Sequence, residues 1–295
     1  MDIFKTSNGI VDEIIFSDAI SKLNLEGKDV LIYSRLLSFG RITSINAINK
    51  IIDILIEHIG PNGTLIIPTY TLNSYSEKKF DIINSKIMSG ILGEVASKKN
   101  NFSRTIHPVY SNAIFGLNKD YYLKQNASTC FGEGSFFDLF TKKDNSVVIM
   151  AGLNFNGPTL YHYYDQKYNA KGRFIKEFSF EMKLDLYTFN MLFDSYVKDR
   201  EFYHGKMNCL AMFDALANDL SMVHSQPLGD SFIHMIKESD FHQLYKAVLE
   251  IDQEYFLLSS EQLWDQYYMK NKYDCMHGKN DPIKTSLVRR YLNTL

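Results

Sequence analysis

His162 and Asp165 are the residues of this 295-residue chain whose types and spacing best suit proton transfer. A histidine side chain has a pKa of about 6.5 in water, so it can accept a proton at neutral pH from an ammonium or hydroxyl group. Asp165 follows one helical turn later on the same helix face, where a carboxylate can orient the imidazole or hold a cationic amine. The spacing alone is a weak signal, because a histidine on a partly apolar helix is more often a hydrogen-bonded structural residue.

A second group of polar residues lies in Gly90–Gly116, which reads GILGEVASKKNNFSRTIHPVYSNAIFG. It combines a Gly-Glu turn, an Arg-Thr-x-His-Pro step and a Ser-Asn-Ala corner. Pro108 restricts the residues before it to extended geometry. Ser111 and Asn112 can offer hydroxyl and amide groups to a polar ligand. The run is therefore typical of an active site.

Alternating strand and helix signals predict the elements that position these residues. Val30–Tyr33 is a short apolar strand pattern, and a helical pattern follows whose expected N-cap is Ser44. That helix should end at Gly60, where Thr64–Pro68 then reads as a buried strand. Val147–Ala151 repeats the strand pattern and leads to a helix that begins near Thr159. The alternation predicts an α/β layer sandwich with ligands at strand ends.

The pattern changes after Lys176. Leu186–Val197 has strand character, and Met207–Leu220 and Asp240–Leu249 are predicted helices. The chain contains no internal repeat and no linker rich in proline or serine. We therefore expect residues 1–295 to form a single domain, with 177–295 as a C-terminal extension of the same fold.

Composition restricts the class of protein. The formal net charge of -2 provides no basic field for nucleic acid. The longest apolar runs are far short of the roughly 20 residues that span a membrane, and Met1–Ile10 lacks a signal-peptide pattern. These features predict a cytoplasmic protein without a membrane span. Cys130, Cys209 and Cys275 form an odd, widely spaced set, which favours neither a disulfide framework nor a zinc site.

Five blocks of the chain resemble, in order, the aminoglycoside 3-N-acetyltransferase family. The similarity extends over residues 17–176, and its blocks are DVLIYSRLLSFG (Asp29–Gly40), GPNGTLIIPTYT (Gly60–Thr71), the Gly90–Gly116 run, FGEGS (Phe131–Ser135) and VVIMAGLNFNGPTLYHYYD (Val147–Asp165). The resemblance implies a layered α/β/α sandwich with a central mixed sheet and an acetyl-CoA-dependent N-acetyltransferase. His162 matches the family's catalytic histidine, and Asp165 stands where the family pattern has Glu.

The resemblance also implies binding residues, one position at a time. The residues that match acetyl-CoA positions are Ser34, Arg35, Leu36, Ser38, Thr69, His107 and Ser111. Arg35 replaces the usual Ser and either pairs with a phosphate or faces solvent. The sequence also departs from the family pattern at Tyr33, Leu37 and Phe136. These differences bear on the acyl pocket and the choice of acceptor more than on the fold. No metal is expected.

The acceptor is predicted from charge and aromatic content. Aromatic side chains near the motifs suit stacking on a sugar or base, although such residues are more often core. The expected acceptor contacts are Tyr70, Thr71, Tyr110 and Glu133. The motif-adjacent acids are few, whereas a polycationic aminoglycoside needs a carboxylate cluster. We therefore expect an amino sugar with one amine, carried on a nucleotide and, by family resemblance, used in bacterial surface polysaccharides.

The predicted reaction is direct transfer in a ternary complex. His162 removes a proton as the amine attacks the thioester, and donors from Ser34–Ser38 or Thr69–Thr71 stabilise the oxyanion. Three alternatives stay open: an aminoglycoside 3-N-acetyltransferase that confers antibiotic resistance, a covalent route through Cys130, and a catalytically silent relative that binds an acyl or nucleotide ligand. The expected partner is a small-molecule acceptor and not nucleic acid, and a homodimer is left open.

Overall fold

A computed structural model describes residues 1–259 and 282–294. The strands, in chain order, are β1 (Asp2–Thr6), β2 (Gly9–Asp12), β3 (Asp29–Ser34), β4 (Arg41–Ile42), β5 (Thr64–Pro68), β6 (Lys79–Asp81), β7 (Ser103–Arg104), β8 (Asn112–Gly116), β9 (Ser146–Ala151), β10 (Arg173–Leu184), β11 (Tyr187–Lys198), β12 (Lys206–Asn208), β13 (His224–Leu228), β14 (Ser231–Lys237) and β15 (Leu257–Ser259). The helices are α1 (Glu13–Ser21), α2 (Ile45–Ile59), α3 (Ser74–Glu77), α4 (Ile91–Ala96), α5 (Lys119–Leu123), α6 (Phe136–Thr141), α7 (Leu160–Lys167), α8 (Ala211–Asp219), α9 (Glu238–Ile251) and α10 (Pro282–Leu292).

The chain divides into two compact units that alternate along the sequence. The first unit consists of Met1–Leu153, Glu177–Ser195 and His224–Met235. The second consists of Asn154–Lys176, Tyr196–Val223 and Ile236–Leu295. Two parts of the predicted C-terminal extension therefore cluster with the N-terminal residues, and the single-domain interpretation stays a prediction.

The first unit is built on a seven-stranded sheet with the order β13-β14-β9-β3-β5-β8-β7. The sheet is mixed, because β3 is parallel to β5 and β9 whereas β8 is antiparallel to β5 and β7. The central strands are buried on both faces: Val30 and Ile32 join the cluster that includes α1, α2 and α4, and Leu31 between them is also buried. The predicted α/β fold with a central mixed sheet is confirmed.

Helix α2 shows how local sequence signals form this layer. The Ser44 hydroxyl accepts a hydrogen bond from the Ala47 N–H at 3.2 Å, which caps the helix start. Gly60 ends the helix at φ 65°, and its N–H returns to the carbonyls of Glu57 and Ile56. The face between these caps buries seven side chains against the sheet: Ala47, Ile48, Ile51, Ile52, Ile54, Leu55 and Ile59. Each buried Ile or Leu contributes about 1.5–3 kcal/mol.

The second unit departs from the sequence prediction at one point. The helix predicted over Met207–Leu220 begins only at Ala211, as α8. The preceding residues form β12, whose backbone pairs with β15, with Asn208 opposite Leu257. A partner strand about 50 residues later thus overrides the local helical pattern. The predicted helix at Asp240–Leu249 is confirmed as the middle of α9.

Two sequence expectations concern long apolar segments and cysteines. Among the helices in residues 1–259 and 282–294, none is long and apolar enough to cross a membrane. Cys130 and Cys209 are buried and are not joined in a disulfide bond. Cys275 lies outside the described residues. Cytoplasmic location and homodimer formation stay predictions.

Candidate active site

His162 and Asp165 lie on the first two turns of α7, in the second unit. The helix begins after Thr159, as the sequence predicts. His162 Nδ1 lies 3.4 Å from Asp165 Oδ2, and the two side chains are 33% and 7% exposed. The histidine is thus accessible while the carboxylate is buried behind it. This arrangement suits a base that meets a substrate and a buried group that orients the base.

Three neighbours hold the Asp165 carboxylate. The Tyr245 hydroxyl donates to Oδ1 at 2.7 Å, and the Arg173 guanidinium lies 3.0 Å from Oδ2. Burial alone would raise the pKa of Asp165, but the hydrogen bonds from His162 and Tyr245 and the charge of Arg173 outweigh it, and the pKa lies below its ordinary value. Asp165 is therefore ionised at neutral pH. Its second oxygen can accept a hydrogen bond from Nδ1–H, which leaves the lone pair on Nε2.

An aromatic cluster fixes the helix that carries this pair. The Tyr161 ring lies 4.9 Å from the Phe241 ring and 5.2 Å from the Tyr245 ring, between centroids. The Tyr161 hydroxyl donates to the Phe155 carbonyl, in the loop before α7. Packing of α7 against α9 through these rings positions Tyr245 beside Asp165.

The predicted cosubstrate residues lie in the first unit, at one edge of the seven-stranded sheet. Ser34 ends β3, and Thr69 follows the last residue of β5. Ser111 immediately precedes β8, whose Asn112 pairs with Pro68. The Thr69 N–H donates to the Ser111 carbonyl, and the Thr71 N–H donates to the Val109 carbonyl, both at 2.9 Å. The structure thus brings three of the resembling blocks together at the end of the parallel strands.

Arg104 is the centre of a buried network at this edge. Its Nε donates to the hydroxyls of Thr69 and Ser111 at 3.1 and 3.0 Å. Its two terminal nitrogens donate to the carbonyls of Ile82 and Thr69 at 2.7 and 2.9 Å. Burial lowers the pKa of Arg104 to about 10, which leaves it charged at neutral pH. Thr69 and Ser111 visibly hold Arg104, and their contact with a cosubstrate stays a prediction.

His107 is buried beside the same network. Its Nδ1 accepts hydrogen bonds from the backbone N–H groups of Val109 and Tyr110 at 3.0 and 2.9 Å. A nitrogen that accepts two hydrogen bonds carries no proton. Burial lowers the pKa of His107 to about 3, so this imidazole is neutral. In this structure His107 shapes the turn at Pro108, and its contact with the cosubstrate stays a prediction.

Tyrosines line the same edge. The Tyr70 ring packs edge-on against Tyr110 at 5.2 Å, and its hydroxyl lies 3.3 Å from that of Tyr33. The Thr71 hydroxyl donates to the Pro108 carbonyl at 2.8 Å. Tyr70 and Thr71 are 5% and 1% exposed, and Tyr110 is partly buried. Among Tyr70, Thr71 and Tyr110, Tyr110 is the most accessible to an acceptor. The Thr71 hydroxyl is used in the hydrogen bond to the Pro108 carbonyl.

The Ser34–Ser38 segment forms a loop and a short 3-10 helix after β3. Arg35 is exposed, Ser34 and Ser38 are partly exposed, and Leu36 is buried in the core. The Arg35 N–H donates to the Ala151 carbonyl at 2.9 Å, which ties the loop to the end of β9. Gly152 has φ 71°, and a Cβ there would lie 2.5 Å from the Arg35 carbonyl, so only glycine permits this approach.

Glu133 and Cys130 lie in the loop before α6. Glu133 is exposed. Ser135 caps α6, and Gly134 donates to the Asp138 carboxylate at 2.8 Å, so this block builds a turn. The Cys130 thiol is 2% exposed, and burial raises its pKa to about 12. A buried thiol that stays protonated at neutral pH is a poor nucleophile, which counts against the covalent route.

The sequence reasoning missed several residues of these networks. Arg104 is the arginine of the Arg-Thr-x-His-Pro step, so its residue type and its position in the motif could have identified it as a site residue. Tyr245 contacts Asp165 across 80 residues of sequence, and no local pattern announces that contact. Among the described residues, no group of three or more His, Cys, Asp or Glu side chains could hold a metal.

Comparisons with known proteins concern the family and the fold of the chain. The model of the family described as "Aminoglycoside 3-N-acetyltransferase" matches residues 31–250. The structure of AAC(3)-IVa apoenzyme is similar at a TM-score of 0.66 and 18% identity, covering 83% of this chain and 90% of that one. Sisomicin-bound AAC-VIa has a TM-score of 0.69 at 17% identity and covers 82% and 98% of the two chains. AAC-IIIb with CoASH has a TM-score of 0.68 at 15% identity and covers 82% and 97%. A comparison with curated protein sequences found no match.

Proposed function

Because the chain belongs to the aminoglycoside 3-N-acetyltransferase family, we propose that it transfers an acetyl group from acetyl-coenzyme A directly to the amine of an amino sugar. The acceptor in this proposal is nucleotide-linked and serves bacterial surface polysaccharide synthesis. Family membership confirms the predicted acyltransferase. The observation that carries the proposal is the accessible His162 backed by the buried, ionised Asp165.

In the proposed mechanism His162 is the general base. Asp165 holds Nδ1–H, so Nε2 takes the proton from the acceptor amine. Acetyl-coenzyme A supplies the acetyl group as a thioester. The amine nitrogen forms a bond to the carbonyl carbon, the carbon–sulfur bond breaks, and the sulfur leaves with the electron pair. The proton held by His162 can return to that sulfur, so the reaction needs no other reactant.

We assign cosubstrate binding to the first unit, by analogy with AAC-IIIb, whose structure contains CoASH. Ser34, Arg35 and Ser38 are accessible on the loop after β3, where hydroxyls and backbone N–H groups suit a pantetheine and phosphates. The Leu36 side chain is buried, so its contribution is limited to the backbone. Thr69, His107 and Ser111 support this edge through Arg104 and the turn at Pro108.

The charge around His162 favours an acceptor with few positive charges. Asp165 is the carboxylate beside His162, and Arg173 already neutralises it. With Asp165 already paired to Arg173, a polycation would lose hydration with little compensation from the residues that the structure describes here. The alternative function, acetylation of an aminoglycoside with antibiotic resistance, is supported by the family name and by the similarity to sisomicin-bound AAC-VIa.

Release of the coenzyme A thiol tests the proposal. The assay compares nucleotide-linked amino sugars with kanamycin and gentamicin, for the unaltered protein and for His162→Ala. We expect turnover with an amino sugar and a loss of roughly 100-fold or more in His162→Ala, the scale of a lost general base. Thiol release that persists in His162→Ala would contradict the role of this residue, and a preference for kanamycin would favour the alternative acceptor.

A further inference from the structure

Arg173 is a buried cation next to the proposed base. Its side chain is 3% exposed, and its Nη2 lies 3.0 Å from Asp165 Oδ2. Its Nη1 reaches the Tyr196 carbonyl only at 3.4 Å. Nε has no hydrogen-bond acceptor within the described residues, and the Nη2 contact is an ion pair without hydrogen-bond alignment. The Nε–H of Arg173 is therefore a buried donor that finds no acceptor among residues 1–259 and 282–294.

Lys198 adds a second, accessible cation. The residue ends β11 and is exposed. Its Nζ lies 4.8 Å from the centre of the Tyr203 ring, and the Arg173 guanidinium carbon lies 5.9 Å from the same ring. Lys198 takes part in none of the ion pairs within 4.0 Å that the structure shows in residues 1–259 and 282–294. Although the Lys198 side chain is largely exposed, desolvation of its ammonium and the charge of Arg173 lower its pKa, against an opposing effect of Asp165.

Two acidic residues of this region, Asp165 and Glu254, form ion pairs with cations other than Lys198. Asp165 is held by Arg173, Tyr245 and His162. Glu254 pairs with the ammonium groups of Lys171 at 2.5 Å and Lys206 at 2.9 Å. The Asp199 carboxylate accepts the Glu201 N–H at 2.9 Å, and the side chain of Glu201 lies on the exposed surface. Arg173 is thus paired with Asp165, and Lys198 is the accessible cation of this group that forms no ion pair among the described residues.

We infer that Lys198, positioned over the Tyr203 ring and backed by Arg173, binds an anionic group of the acceptor, a phosphate or a carboxylate, and so makes Lys198 a specificity-determining residue. The inference rests on the proposed function, because it names the acceptor class of the same site. An ammonium is a point-charge ligand for phosphate. The same charges repel a polycationic acceptor, so they select against aminoglycosides as well as for anions.

Steady-state kinetics with matched acceptors test this inference. The probes are glucosamine, glucosamine 6-phosphate, UDP-glucosamine, a carboxylate-bearing amino sugar (2-amino-2-deoxyglucuronic acid) and kanamycin. The variants are Lys198→Gln, the charge-conserving Lys198→Arg, and the control Lys246→Gln, which removes a surface cation of the same unit. We expect Lys198→Gln to raise KM for anionic acceptors about fivefold, the scale of one accessible charge pair, with kcat unchanged.

Other readouts separate this role from a structural one. The KM of the anionic acceptor should rise with ionic strength in the unaltered protein and lose that dependence in Lys198→Gln. Lys198→Arg should keep the ionic-strength dependence of KM. In both Lys198 variants, KM for glucosamine should equal that of the unaltered protein. The phosphate and carboxylate probes show which anion is preferred. Equal effects of Lys198→Gln on neutral and anionic acceptors, or kanamycin as the best acceptor, would overturn the inference.

A binding measurement keeps the inference testable if the proposed function fails. Calorimetry should show that UDP-glucosamine binds more tightly than glucosamine and that Lys198→Gln removes the difference. If none of the probes is acetylated but this difference is present, the proposed reaction is wrong and the anion site stands. If the two ligands bind alike, the anion site is wrong regardless of turnover.

Discussion

Replacing Asp165 by Asn should show how much of the stability of the second unit depends on the buried ion pair. The change preserves the shape of the side chain and an acceptor for Tyr245, but it removes the charge that faces Arg173 at 3.0 Å. The two side chains are only 7% and 3% exposed, so water cannot take over the lost interaction. Removing one partner of such a buried pair costs about 3–5 kcal/mol.

Urea unfolding followed by circular dichroism measures this loss. Asp165→Asn and Arg173→Met should each lower the free energy of unfolding by roughly 3 kcal/mol at pH 7. The double variant should lose less than the sum of the two, by more than about 0.5 kcal/mol, the limit of ordinary additivity. The thiol-release activity should stay low in all three variants, because each lacks the negative charge or its position beside His162.

The pH dependence provides an internal control. The folded pKa of Asp165 lies below its ordinary value, so its contribution is present above the ordinary carboxyl pKa and disappears as the pH falls through the folded pKa. The stability difference between the unaltered protein and Asp165→Asn should therefore shrink in acid. Additive losses in the double variant, or an Asp165→Asn protein as stable as the original at pH 7, would refute the reasoning.

Three further predictions concern single residues. Acetyl-coenzyme A should raise Tm by mass action, and Arg35→Ala should reduce that increase if the exposed guanidinium meets a phosphate; an unchanged increase would place Arg35 in solvent. His107 has a folded pKa of about 3, so stability should rise between about pH 3 and 6.5 by up to about 1.4 kcal/mol per pH unit, and His107→Gln should remove that slope. Burial raises the pKa of Glu238 to about 8, so the unfolded state loses its proton first and stability should fall from about pH 4.5 to 8. Glu238→Gln mimics the protonated side chain, which accepts a hydrogen bond from the Tyr164 hydroxyl, so the free energy of unfolding of this variant should depend less on pH. If His107→Gln or Glu238→Gln has the same pH slope of unfolding free energy as the unaltered protein, the shifted pKa of that residue is contradicted.

Local signals predicted much of the first unit. Ser44 and Gly60 bound α2 as expected, and the apolar runs before Ser34 and Pro68 form β3 and β5. These elements depend on caps, turns and hydrophobic periodicity that act within a few residues. Their alternation was sufficient to predict the α/β layers.

Long-range contacts limited the prediction of the site. His162 was identified by its position after β9 and by family resemblance, whereas Arg173 and Tyr245 reach Asp165 only through the folding of the second unit. Thr69 and Ser111 were predicted to hold a cosubstrate from their match to positions of the family. The structure shows their hydroxyls bonded to Arg104, a use that the sequence pattern does not distinguish from ligand binding.

The central proposal is that His162 acts as the general base for transfer of an acetyl group from acetyl-coenzyme A to a nucleotide-linked amino sugar rather than to an aminoglycoside. One competition measurement tests it most directly: acetyl-coenzyme A, UDP-glucosamine and gentamicin at equal acceptor concentrations, with both products quantified by mass spectrometry. We predict that the acetylated nucleotide sugar dominates and that both products fall by roughly 100-fold in His162→Ala. Acetylated gentamicin as the main product would contradict the acceptor, and an unchanged product yield in His162→Ala would contradict the base.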